Sequence, residues 1–200
     1  METSWKTVTE NLYKGVKIQI LCNIAAVVFG AFAALGNAAD LAEGFAKGEL
    51  SLGWGIWDYL EFAASIGAIY GFWIFFSNLK PWQALLTGND SKAVGRIHTA
   101  TILQIVAIVL AFIPLIGIIG GILNLVAWVL LLMAYSDLKN SSTFPASEGA
   151  GKIFTAMILN LVAAIIGWIP VIGLIGTILS IVAFIKTLNG WKLIADSNQA

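Results

Sequence analysis

Charge is the scarcest commodity in this chain. Lysine, arginine, aspartate and glutamate make up 11% of the 200 residues, against roughly a quarter in soluble domains. The formal net charge is zero, which leaves no electrostatic basis for binding nucleic acid. Cys22 is the only cysteine, so no intramolecular disulfide can form, and a lone thiol in an apolar run reads as a small packing residue. His98 is the only histidine, which excludes bis-histidine haem ligation and histidine-rich metal sites within one chain. There is no G-x-S-x-G, no P-loop and no H-E-x-x-H. The glycines neither follow a strand nor precede the Lys and Ser/Thr of a phosphate cradle. The sequence therefore predicts no enzyme, no catalytic residue, no cofactor and no metal site.

What the chain has instead is apolar length. Hydrophobic residues reach 59%, and the few charges are spaced far apart. Residues 18–39 carry none, nor do 62–79, 97–136 or 153–185. A membrane-crossing helix needs about 20 apolar residues, so the two shorter gaps fit one span each and the two longer ones fit two each. The apolar run that follows Lys17 exceeds the roughly 7–15 residues of a secretory signal core, and it is expected to be retained as the first span.

The phrase IPLIGIIG at 113–120 returns as IPVIGLIG at 169–176. Aligning 95–128 with 151–184 gives 18 identities in 34 positions, which points to an internal duplication rather than to shared composition. Proline ends or kinks a helix, and glycine allows the chain to reverse tightly. Pro114 and Pro170 are thus expected at the tips of two helical hairpins. The fold class read from this is all-α: a polytopic membrane protein of six transmembrane helices arranged as three consecutive hairpins, the last two a repeat. The boundaries are a cytoplasmic interfacial segment at 1–16 and a first hairpin at 17–79 with an external loop near 40–56. A second hairpin at 95–139, a third at 151–194 and a tail at 195–200 complete the chain.

Ten of the eleven basic residues fall in the segments this topology places with the termini, and only Lys47 falls opposite. By the positive-inside rule both termini are cytoplasmic. Trp5, Val8 and Leu12 share a helical face, which predicts a short helix lying on the lipid surface. Trp54, Trp57, Trp82 and Trp191 are expected in an interfacial belt.

Apolar helices in lipid associate through small residues that let backbones approach. Ala26, Gly30 and Ala34 in the first span, with Ala63, Gly67 and Gly71 in the second, are expected as facing packing stripes. Gly117 with Gly121, and Gly173 in the second copy, form a further set, read as packing within the monomer or as self-association. Gln104 and Asn124 lie ten residues either side of Pro114, and Asn160 and Ser180 ten either side of Pro170. Equal spacing puts each pair at one depth near mid-membrane, where they serve as interhelical hydrogen bonds or line a polar solute site. Asp58 and Glu61 stand one turn apart at the outer start of the second span. They are read as interface markers or as a paired-carboxylate cation or proton site.

The functional expectation is a non-enzymatic membrane scaffold or accessory subunit that packs with itself, with lipid or with another membrane protein. One alternative is a small channel or carrier around the four midplane polar residues. Another is a membrane-bending protein whose hairpin tips stop short of the far leaflet.

Overall fold

The computed structural model describes residues 4–47, 55–111, 113, 117–167 and 173–198. All regular structure among them is helical: α1 (Trp5–Lys47), α2 (Ile56–Ala84), α3 (Gly88–Ala111), α4 (Gly117–Asn140), α5 (Ser147–Gly167) and α6 (Gly173–Asp196). Six helices are long and apolar enough to cross a membrane. The chain is therefore that of a multi-pass membrane protein by length and composition. Pro114 and Pro170, the expected tips, lie outside the described residues.

Several boundaries differ from the sequence expectation. α1 is one helix from Trp5 to Lys47, so no separate interfacial segment ends at residue 16 and the first part of the expected 40–56 loop is helical. α2 runs past Leu79 and through Pro81 to Ala84, and α3 begins at Gly88. The connection is reduced to 85–87, and Gly88 takes a positive φ of 58° that suits glycine. Alanine, leucine, glutamate and lysine in 40–47 favour the extension of α1, whereas α2 continues through Pro81 against its propensity.

The chain divides into two compact units. The first comprises residues 1–13 and 74–200. Within it α3 packs along α4, α5 along α6, and α4 against α5. The seams are made of small residues. Ala100, Ala127 and Ala134 are fully buried, as are Ala156 and Ala183. At the tightest crossing, a Cβ on Gly149 would lie 2.7 Å from the Gly190 carbonyl oxygen, and one on Gly190 equally close to the Gly149 oxygen. A Cβ on Gly176 would come 2.9 Å from the Ala163 carbonyl oxygen.

Large side chains collect elsewhere, at the end where the first turns of α1 meet the last turns of α6. Leu12, Leu79, Trp82, Ile97, Leu138 and Ile194 are fully buried there. Trp82 packs against Trp191 at 5.5 Å between ring centroids, Trp5 and Trp82 each meet Phe144 edge-on at 6.1 Å, and Phe75 meets Trp191 at 5.3 Å. The Trp5 indole N–H donates to the Ser197 carbonyl at 3.0 Å. The division of labour has a physical cause. Burying a large apolar side chain gains about 1.5–3 kcal/mol where water is the alternative, but almost nothing where lipid is. Two expectations are corrected here. The Trp5–Val8–Leu12 face is covered by the chain's own helices rather than laid on lipid, and Trp82 and Trp191 are core residues rather than parts of a belt.

The second unit, residues 14–73, sets α1 antiparallel to α2. A Cβ on Gly71 would fall 2.6 Å from the Gln19 nitrogen and 2.7 Å from the Gly15 oxygen, so the backbones touch there. One on Gly67 would lie 2.6 Å from Cys22 Sγ. Trp57 stacks on Phe32 at 4.9 Å and on Phe29 at 6.1 Å.

Candidate functional site

The four residues expected at mid-membrane form no hydrogen bonds with one another among the described residues. Asn124 is exposed, and Gln104, Asn160 and Ser180 are half-buried. No hydrogen bond joins Gln104 to Asn124 or Asn160 to Ser180 among the described residues. The expectation of two interhelical pairs is thereby corrected. The buried stripe of α3 and α5 is alanine at 100 and 107, and at 156 and 163, and the amides sit at its margin.

Among the expected packing residues, Gly67 and Gly71 make the close approaches described above, and Ala26 is half-buried. Ala34 and Ala63 are exposed, while Ala33 is buried in place of Ala34. Gly121 is also exposed, with nothing within 4 Å of a Cβ built on it. The buried glycines are its neighbour Gly120 and, at the aligned position near the start of α6, Gly176. An i/i+4 glycine pattern does not say which of two adjacent glycines faces inward. Gly117 and Gly173 begin α4 and α6.

On the outer wall of α4, then, Gly121 and Asn124 lie three positions apart, both exposed, beside Ile118, Ile122 and Leu125, each more than half exposed. The Asn124 amide has no hydrogen-bonding partner among the described residues. This is an open notch at Gly121 with an amide one turn on, set in an apolar wall.

The termini-bearing end carries a second feature, a cleft of about 730 Å³ between the start of α3 and the end of α4. It is lined by polar groups, including Asn89, Asp90, Lys92, Arg96, Asp137 and Thr143. Asp90 is 5% exposed and its Oδ2 accepts a hydrogen bond from Thr143 Oγ1 at 2.6 Å. Arg96 and Asp137 form an ion pair between α3 and α4. Ser141 Oγ accepts from the Thr143 and Phe144 backbone N–H groups at 3.2 Å, which fixes the loop wall. The charges are matched in sign and already engage one another in part. His98 stands outside, stacked on Phe76 at 5.3 Å. No group of three or more His, Cys, Asp or Glu that could hold a metal occurs among the described residues.

Asp58 and Glu61, expected on one face, have different surroundings. Asp58 Oδ2 accepts the Gly55 N–H at 2.7 Å, a capping contact at the start of α2. Glu61 turns onto α1, where a Cβ on Gly30 would lie 3.0 Å from its Cδ and Oε1.

No protein-family model matches this sequence, no curated protein resembles it, and no solved structure matches the fold.

Proposed function

We propose that this protein is a multi-pass membrane scaffold or accessory subunit that associates laterally through its membrane-spanning helices, in the first instance with a second copy of itself. The observation that carries this reading is the outer wall of α4. An amide exposed to hydrocarbon without a partner costs free energy, and transmembrane helices relieve that cost by hydrogen bonding to another helix. Gly121, with open space over its Cα, lets a second backbone approach beside Asn124. An asparagine amide both donates and accepts, so two copies related by a two-fold axis satisfy each other.

The proposed arrangement has three consecutive hairpins and cytoplasmic termini. Its support is the 56-residue offset in sequence and the matching burial of Ala100 with Ala156 and of Ala127 with Ala183. The distribution of basic residues and the contact between Trp5 and Ser197 add to it. Parallel repeats related by an axis along the membrane normal follow from two spans per copy.

The test is mass analysis of the protein in native-like lipid particles, with Asn124→Leu and Gly121→Ile beside the wild type. A dimer or higher oligomer that becomes monomeric in both variants, with unfolding midpoints little changed, is the expected result. A wild-type monomer, or an oligomer indifferent to both substitutions, overturns the reading. A different protein bound stoichiometrically and lost in both variants supports the accessory-subunit form.

A further inference from the structure

Glu61 lies in the second unit, and its position against α1 decides its depth. The charge-free stretch of α1, residues 18–39, holds 22 residues, or about 33 Å of helix, enough for a hydrocarbon core of about 30 Å. Gly30 sits twelve positions after its start and nine before its end. The Glu61 carboxyl group is seated over the bare Cα of Gly30, where a Cβ would come within 3.0–3.1 Å of Cδ and both oxygens. Burying the α1 stretch in lipid therefore carries Glu61 about 13 Å below its outer end. Holding Glu61 at the surface instead would bring Phe32 and Leu35, 47% and 69% exposed, into water and draw Lys17 and Lys14 into hydrocarbon. For α1 the first arrangement costs less, provided the carboxyl group does not stand there as a bare anion.

Among the described residues no counter-charge stands beside it. On α1 the nearest charged positions are Lys17 and Asp40, thirteen and ten positions from Gly30, and Cys22 is the one ionisable group between them. On α2 the neighbours are Asp58, already engaged by the Gly55 N–H, and Tyr59. Among the described residues Glu61 has no hydrogen-bond or ion-pair partner. We infer that Glu61, seated in the Gly30 notch between α1 and α2, is an intramembrane proton-binding site.

The probe is dicyclohexylcarbodiimide, a hydrophobic carbodiimide, added to the full chain in lipid particles. A carboxylic acid adds its O–H across one C=N bond of the reagent, and acyl migration to nitrogen then gives a stable N-acylurea. Nothing leaves, so peptide mass mapping finds Glu61 heavier by the whole reagent. The expected result is modification at Glu61 ahead of Asp58. Its rate should fall about tenfold per pH unit once the acid is the minor form, be lost in E61Q and kept in D58N. Gly30→Ala, which intrudes on the seat, should change that rate several-fold without lowering the yield of folded protein. Because mapping is done on the wild type, a variant that fails to fold leaves the answer intact. Modification of Asp58 as fast as Glu61, a Glu61 rate indifferent to pH, or no adduct at Glu61 overturns the inference. So does protection by sodium but not by choline, which would assign the seat to a metal cation.

Discussion

Glycines at 121 and 190 show how little a residue type says without its surroundings. Both lie in apolar helices, yet one faces open space and the other a backbone oxygen at 2.7 Å from its would-be Cβ. Gly190→Ala therefore forces α5 and α6 apart. Such overpacking costs about 1–3 kcal/mol, measurable as a lowered unfolding free energy in lipid particles. Gly121→Ala should change it by no more than about 0.5 kcal/mol, and equal losses at both sites would count against the seam described here. Trp5 is the second case. It packs on Phe144 and donates to Ser197, so Trp5→Ala should cost about 3 kcal/mol, where a side chain resting on lipid would cost far less. The Trp82 N–H is buried without a partner, a polar group enclosed by its own aromatic neighbours.

Between elements, the contacts fall into two chemical kinds. Alanine and glycine seams hold α3 to α4 and α5 to α6 where the helices are apolar all round, and the ion pair between α3 and α4 lies toward the termini-bearing end. Arg96 and Asp137 join α3 to α4 with both side chains more than a third exposed. A double-mutant cycle with Arg96→Gln and Asp137→Asn should accordingly return a coupling below about 1 kcal/mol that weakens with salt. Lys139 Nζ lies 3.8 Å from the centroid of the Phe154 ring, tying α4 to α5. Phe154→Leu should lose about 0.5–1 kcal/mol that Lys139→Met removes in advance, and additive losses would dissolve the pair.

Each of the two units turns apolar side chains outward. Apolar outer faces such as those of Val27, Ile69 and Ile118, each about 70% exposed, suit hydrocarbon, whereas the aromatic core near the termini suits water outside it. Cysteines placed at Ser4 and Asn198 in a Cys22→Ala background should react with a membrane-impermeant maleimide from one and the same side of sealed vesicles. Labelling from opposite sides would overturn the six-span arrangement. The proposed cytoplasmic termini, argued from the bias in lysine and arginine, predict labelling only in inverted vesicles.

Local sequence determined the number of spans and the helical class, because hydrocarbon forces each backbone polar group to be satisfied within its own helix and charge spacing marks where that is required. The proposed duplication rests on sequence as well: identities between 95–128 and 151–184 are read from the order of residues alone. Tertiary structure decided which side of each helix faces inward. In a helix that is apolar all round, no hydrophobic contrast selects a face, so Gly120 rather than Gly121 and Ala33 rather than Ala34 became the buried members. The same applies to Gln104, Asn124, Asn160 and Ser180, whose expected common depth comes from spacing, while rotation about each helix axis sets their exposure. Glu61 is the sharpest example. Its own helix places it at the outer edge of an apolar run, and only the register of α2 on α1 sets it over Gly30, where no described residue offers a charge to answer it.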